Sequence, residues 1–501
     1  MAKMKSIEKL EAWIDSYLNF EKTPKKNIFW LDTMNYFCEK FGHPENFAPC
    51  FHVAGSKGKG SVSTFIASIL DEAGFKTGLY TSPHILDFIE RVSSPKGEFD
   101  EEVYDKAVKE IMDGVQNTKT SELPAERPIT WFELVTLFSF LVFRQAKVDY
   151  SVFEVGLGGR LDSTNVVKPI CSVITPIELE HTEFLGDSFE KIAFEKGGII
   201  KENTPVIISK QRPEVREVLE KIAEEKHSQA FFAEDLVTDF KFYVKNISSC
   251  IQNHNEIANG NTQKANNCIK NHTTYDDKMI FPLTSVEFSA KIFSRPLKFN
   301  LRMLGSVQAE NAALAAIAVK TAIPYISEEQ IEKGLSKASI PARFEVIPNP
   351  EGFEKIPFLI LDGAHTVNSV KFTMETMNSI FGTASIKQDS HLTSPASKQN
   401  RWKLLFACAA DKDAKDIAPL FKNSFTEIFL TKPGNVKASD LNMLTKAFDT
   451  AGLQYDCDED FEKQIMKALK KAHDEESILL VTGSFYLIAE VKKIMLKMQK
   501  I

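Results

Sequence analysis

The sequence predicts an α/β protein of two domains: a larger one on a mainly parallel sheet with helices on both faces, and a smaller α/β domain after it. Three observations predict it. Short apolar stretches alternate with longer amphipathic ones through the first half of the chain. The alternation restarts late, at "PFLILDGAH". The length of 501 residues, 43% hydrophobic and 26% charged, is ample for more than one core, since a domain takes roughly 100–200 residues.

The first domain is expected over 1–339. Its strand candidates are Phe51–Ala54, Gly78–Thr81, Tyr150–Val155, Cys171–Thr175 and Val206–Ser209. After Gly60, apolar residues recur at Val62, Phe65, Ile66, Ile69, Leu70 and Ala73, one face of a helix, and Gly74 is placed to stop it. The run Leu134–Phe143 is too short to span a bilayer and reads as a buried helix. Residues 246–277 are rich in Asn and poor in large apolar groups, which predicts a polar surface insertion. The Ala-rich "GSVQAENAALAAIAVKTA" resumes the core as a helix.

A boundary falls near Ser339–Arg343. The second domain, 340–501, carries strand candidates in "PFLILDGAH", "KLLFAC", "EIFLT" and "SILLVTGS", with a second polar insertion at about 383–401. This is a smaller, Rossmann-like α/β pattern.

Net charge of -7 argues against nucleic-acid binding, which needs a basic surface. Seven scattered cysteines without a C-x-x-C pair predict reduced thiols in a cytoplasmic protein, and the N-terminal stretch lacks the apolar run of a signal peptide.

The chemistry starts at "FHVAGSKGKGS". A strand runs into Gly55, Ser56, Lys57, Gly58, Lys59, Gly60 and Ser61, and a helix follows. Glycines let backbone N–H groups converge on an anion, and the helix N-terminus adds a favourable field. Lys59 can reach outer phosphates and Ser61 brings a hydroxyl, so this P-loop-type joint is built for a nucleoside triphosphate. Gly60 separates Lys59 from Ser61, where the common phosphate loop sets lysine and hydroxyl side by side.

Other candidates are weaker singly. Glu154, near a strand end, is either a Mg²⁺ ligand or a capped strand-end acid. His181 in "EHTEFLG" is either functional or a satisfied structural histidine. Lys196 in "EKGGII" reads by itself as a surface helix charge, and Ser82 in "YTSPHIL" as a turn former.

Together, "HVAGSKGKGS", "LYTSPHILDFIERV", "FEVGLGGRLDSTNVV", "HTEFLG", "FEKGGIIK", "PARFEV", "LDGAH" and "TGSFYL" resemble the Mur ligase superfamily. Within it they are similar to the folylpolyglutamate synthase group and its bifunctional form with dihydrofolate synthase activity. The resemblance covers the chain apart from the two insertions. It implies an ATP-dependent ligase of folate biosynthesis and one-carbon metabolism. Such an enzyme adds L-glutamate to folates, and to dihydropteroate, through an acyl phosphate. It implies a monomer with two Mg²⁺ ions and no nucleic-acid or membrane partner.

By residue, the resemblance places ATP phosphates on the 55–61 loop, with Asn311, Arg343, Asp362 and His365 as further nucleotide contacts. It makes Ser82, Glu154 and His181 magnesium ligands. Lys196 would join them as a carbamate, an anion where the chain encodes a cation. Lys59, His181 and Lys196 carry the catalytic roles. Phe29 and Trp30, with Ile28 beside them, Thr130–Glu133 ("TWFE", with Trp131 and Phe132) and Leu161, Asp162 and Ser163 are the implied pterin contacts.

Four departures stand out. Ser56 and Lys57 replace Thr and Asn of the usual loop, and Val307 replaces a His. Ala342 replaces a Gly, and Thr366 and Val367 replace Asn and Pro. Two rival functions use parts of the same pattern. A ligase extending a cell-wall precursor would need a uridine-nucleotide pocket. A P-loop regulator would explain the loop but not Glu154, His181 and Lys196.

Overall fold

The computed structural model describes residues 4–19, 30–244, 282–382 and 402–498. Both polar insertions, with Ile28 and Phe29, lie outside the described residues. The chain divides into two compact units. The first is Met1–Lys241 with Val286–Phe299 and Gln308–Ala338; the second is Phe242–Ser285, Asn300–Val307 and Ser339–Ile501.

The first unit holds a seven-stranded sheet of β1 (Cys50–Ala54), β2 (Thr77–Tyr80), β3 (Val92–Ser93), β4 (Tyr150–Glu154), β5 (Cys171–Ile174), β6 (Val206–Ile208) and β7 (Ala230–Phe232). Its order is β3-β2-β4-β1-β5-β6-β7. All neighbours are parallel except β3, which runs antiparallel to β2. Every residue of β1 and β5 is buried, as expected of strands covered on both faces.

The helix Lys59–Glu72 follows β1. One apolar face was expected, but every residue from Ser61 to Leu70 is buried. Its other side meets the helix Glu328–Lys337 at Gly334. A Cβ there would lie 2.5 Å from the Ile69 Cα, and Ser68 Oγ donates to the Gly334 carbonyl at 2.6 Å. The small polar residue Ser68 thus sits at a close helix crossing. The helix Trp131–Ala146 is buried along nearly its whole length, as its apolar run predicts.

Three further strands, β8 (Val237–Val244), β9 (Thr284–Ala290) and β10 (Leu297–Leu301), form a small sheet in the order β10-β9-β8. Burial alternates along β9 and β10, the period of strands with one covered face.

The second unit holds β11 (Glu345–Pro348), β12 (Phe358–Asp362), β13 (Trp402–Phe406), β14 (Glu427–Leu430), β15 (Asp456–Cys457) and β16 (Ile478–Thr482). The order is β11-β12-β16-β13-β14-β15, parallel except for β11 against β12. Its core gathers Ile360, Met377, Ile380, Leu404, Phe406, Phe421 and Phe448. Among the described residues no helix is long and apolar enough to cross a membrane.

Candidate functional site

β1 lies between β4 and β5, so whatever follows these three strands converges at one sheet edge. The 55–58 loop leaves β1, Glu154 ends β4, and Thr175 follows β5. A side chain on Gly55 would collide with Thr175. Gly58 starts the helix at φ 87°, in the left-handed region, and a Cβ on it would lie 2.6 Å from Asn311 Oδ1. Asn311 is buried on the helix Ser306–Ala322, so the structure brings it to the loop as the resemblance implies.

The loop is tied down by hydrogen bonds within the protein. The Ser56 and Lys57 amides donate to the Pro176 carbonyl at 2.9 and 3.3 Å. Ser56 Oγ donates to the Glu178 carbonyl and accepts from its amide. Those two loop amides therefore anchor the loop to the segment after β5. Helix geometry leaves the N–H groups of Lys59, Gly60 and Ser61 without acceptors in their own helix, an arrangement suited to an anion.

Three lysines surround one carbonyl and one carboxylate. Lys59 Nζ donates to the Gly55 carbonyl at 3.1 Å, and Lys196 Nζ donates to the same oxygen at 2.8 Å. Lys196 also donates to Glu180 Oε1 at 3.0 Å, and Lys57 Nζ lies 3.6 Å from Glu180 Oε2. Lys196 is only 2% exposed, so the surface-charge alternative fails. Burial would raise the Glu180 carboxyl, but Lys59, Lys196, Lys57 and His181 outweigh it and bring it down to about 2. Burial, with Lys59 and Lys57, brings the Lys196 ammonium down to about 8 against the pull of Glu180. Glu180 went unsingled in the sequence; its place beside His181 was the only signal.

Glu154 is buried and accepts from the Ser82 amide at 3.0 Å. Its Oε2 lies 3.4 Å from where a Cβ on Gly60 would stand. A carboxylate against the phosphate loop fits a magnesium ion, a hard cation that takes one or two carboxylates and fills its shell with water and phosphate oxygens. Among the described residues no three His, Cys, Asp or Glu side chains group as a metal cage. His181 is exposed and starts the short helix Thr182–Leu185 at φ 49°. As an ammonium paired with Glu180, Lys196 would repel a metal; as a carbamate, an anion with oxygen donors, it would suit a hard cation.

The pterin-implied residues behave differently from one another. Glu133 makes a capping box with Thr130 and receives Arg127 through both oxygens, at 2.7 and 3.1 Å. Asp162 accepts from the Gly156, Leu157 and Thr164 amides, so it shapes the glycine turn after β4. Trp131 is buried beneath the Arg91 guanidinium, 4.9 Å from the ring centroid. Phe132 lies against Gly156, which leaves its ring room. Leu161 and Ser163 are half-buried beside Asp162, and Trp30 is 62% exposed.

In the second unit, Arg343 and His365 lie around Phe485, and Asp362 feels the Arg343 charge. The Arg343 guanidinium stands 4.5 Å from the Phe485 ring centroid, and the His365 ring 5.9 Å. Asp362 accepts from Thr373 Oγ1 and the Ala364 amide, each at 3.0 Å. Burial pushes its carboxyl up to about 6, against Arg343 and those two donors. Thr366, one of the departures, caps the helix Val367–Phe381 through the Ser369 amide.

A family model of the Mur ligase middle domain matches residues 53–319. The dihydrofolate synthase/folylpolyglutamate synthase of Bacillus subtilis (strain 168) is 30% identical over 492 residues, 96% of this chain and 97% of that protein. The folylpolyglutamate synthase of Lacticaseibacillus casei is 26% identical over 465 residues, covering 91% and 92%. Among solved structures, the Mycobacterium tuberculosis folylpolyglutamate synthase complexed with ADP and AMPPCP superposes with a TM-score of 0.76 at 22% identity, covering 98% of each chain. FolC of E. coli, in complex with DHPP and ADP, gives 0.73 at 24% identity, again covering 98% of each.

Proposed function

The chain belongs to the Mur ligase family, as an ATP-dependent ligase of the folylpolyglutamate synthase kind, and from that premise we propose how its residues join L-glutamate to a folate. The observation that carries the mechanism is the strand-loop-helix joint with Lys57 and Lys59, joined by Lys196 from the helix Phe189–Gly197, beside a buried Glu154. In a bifunctional enzyme the acceptor is dihydropteroate as well.

The first chemical obstacle is charge. A substrate carboxylate must approach a triphosphate, anion against anion. Lys59 and Lys57, with the helix-start amides of Lys59, Gly60 and Ser61, bind the phosphates and offset that repulsion. Glu154 would hold magnesium, which when bound neutralises charge on the phosphates. If carbamylated, Lys196 would serve a second ion with His181. Phosphoryl transfer to the substrate carboxylate yields an acyl phosphate. The glutamate amine then adds to its carbonyl, and phosphate leaves. Asn311 packs against Gly58 and keeps the loop's turn open to the nucleotide.

In the second unit we assign Arg343, Asp362 and His365 to nucleotide binding, on the half-buried cluster they form. Among the described residues, the buried free thiols Cys38, Cys50, Cys171 and Cys408 fit a reducing cytoplasm.

The test runs the enzyme with ATP and glutamate, in parallel on dihydropteroate and tetrahydrofolate, with product masses measured. Each product should gain one glutamate, and ADP release should require glutamate. Lys59→Ala should lower the rate by ~10³ or more with an unchanged melting temperature. An active Lys59→Ala enzyme, or ADP release indifferent to glutamate, contradicts the mechanism.

A further inference from the structure

We propose that Arg127 is a positioning residue for the pterin end of the substrate, fastening Trp30 and the Thr130–Glu133 turn into one wall. The inference rests on the assignment of those segments to pterin binding, and goes beyond it by naming what holds them together.

Arg127 spends its whole guanidinium on the two segments. Nη2 donates to the Trp30 carbonyl at 3.1 Å, to Asp32 Oδ1 at 3.0 Å and to Glu133 Oε1 at 2.7 Å. Nη1 reaches Glu133 Oε2 at 3.1 Å, and Nε reaches Asp32 Oδ1 at 3.3 Å. A return bond runs from Thr33 Oγ1 to the Arg127 carbonyl at 3.3 Å. The Glu133 pair is largely shielded, with the Arg127 side chain 12% exposed and that of Glu133 5%, while that of Asp32 is 35% exposed. Glu133 Oε2 also accepts from the Thr130 amide and hydroxyl, both at 2.8 Å.

Glu133 is therefore committed to the protein, and its part in substrate binding is indirect. What the clamp leaves outward is the Trp30 indole, 62% exposed although its own carbonyl is anchored. An aromatic face held by its backbone suits a flat heteroaromatic ring, which binds by stacking with little ordering of the side chain. Arginine is required because a lysine ammonium cannot present the planar fork that takes two carboxylates and a carbonyl together.

The experiment measures glutamate-dependent ADP release by the full chain, varying dihydropteroate and ATP separately, for Arg127→Lys, Arg127→Gln, Trp30→Ala and the Trp30→Ala/Arg127→Gln double variant. Melting temperatures confirm folding, and Arg127→Lys keeps the charge should Arg127→Gln fail to fold. The expected result is a rise of about tenfold in KM for dihydropteroate in each single variant, with kcat and the KM for ATP within about twofold. The double variant should raise that KM by less than the product of the two single effects, because Arg127 acts partly through Trp30. Equal changes in both KM values, or a wild-type KM for dihydropteroate in Arg127→Lys, would overturn the positioning role. A wild-type KM in Trp30→Ala would overturn the pterin assignment beneath it. Trp30→Ala impaired with both Arg127 variants normal would remove the Arg127 inference alone. Absence of glutamate-dependent ADP release in the wild type with dihydropteroate and with tetrahydrofolate alike would instead sink the ligase mechanism.

Discussion

Glu180 accepts a hydrogen bond from Lys196 at 3.0 Å while the same ammonium reaches the Gly55 carbonyl at 2.8 Å. This buried pair joins the loop after β5, the phosphate loop and the helix Phe189–Gly197. Breaking one partner leaves an uncompensated buried charge. Glu180→Gln should cost roughly 1–3 kcal/mol at pH 7. The folded carboxyl titrates at about 2, below the ordinary 4.5. Its contribution is thus complete above pH 4.5 and drains away as pH falls toward 2. Denaturant unfolding of both proteins at pH 7 and pH 3 should show the gap narrowing in acid; a constant gap refutes the assignment.

Gly58 tests the loop's backbone. Its φ of 87° and the 2.6 Å from a Cβ to Asn311 Oδ1 both oppose a side chain. Gly58→Ala should lose about 1–3 kcal/mol of stability. Calorimetry with ADP should show affinity reduced about tenfold, because the helix start would have to shift. Unchanged affinity would mean the turn's shape is not what holds phosphate.

Ala342 offers a gain instead of a loss. It stands where the family carries glycine, and its φ is 58°. Its amide donates to Glu345 Oε2 at 2.8 Å and its carbonyl accepts from Gly363, so the strained conformation is pinned at both ends. Ala342→Gly should stabilise the protein by about 0.5–1 kcal/mol, the relief of left-handed strain less the added chain entropy. A lower urea midpoint would contradict this.

Asp362 gives a pH signature of the opposite sign to Glu180. Its folded carboxyl titrates near 6, above the ordinary 3.8. The folded state therefore holds a proton that the unfolded chain has lost, and stability falls as pH rises from about 4 to about 6. Against Asp362→Asn, the wild type should lose about 1–3 kcal/mol across that window and then level off. Unfolding free energies at pH 4 and pH 7 decide it.

Much of the sheet was legible because buried parallel strands are short apolar runs bounded by glycine and polar residues. Phe51–Ala54 and Cys171–Thr175 fall within a residue of β1 and β5. β8–β10 escaped notice, since β9 and β10 alternate over only seven and five residues and β8 has no buried residue to mark it, next to an Asn-rich segment. Glu154 was visible as a strand-end acid. Lys196 was not visible as a buried ion, because on its helix it follows the spacing of an ordinary surface charge. Only the fold brings Glu180 and the Gly55 carbonyl to it. Glu133 and Asp162 show the reverse: both lie in telling motifs, yet their oxygens are occupied by nearby backbone and side-chain donors. A motif marks where residues matter without distinguishing those that touch a ligand from those that hold the wall.

The central place of β1 has a consequence for the chain as it is made. Its partners β4 and β5 come about a hundred residues or more later in the sequence. At ribosomal speeds, that is a wait on the order of 5–20 s during which an apolar strand has emerged without its neighbours. Nascent chains stalled before Glu154 should therefore be unable to retain nucleotide and should be the species that engages chaperones, whereas the competence to bind arises only once synthesis has passed Lys196.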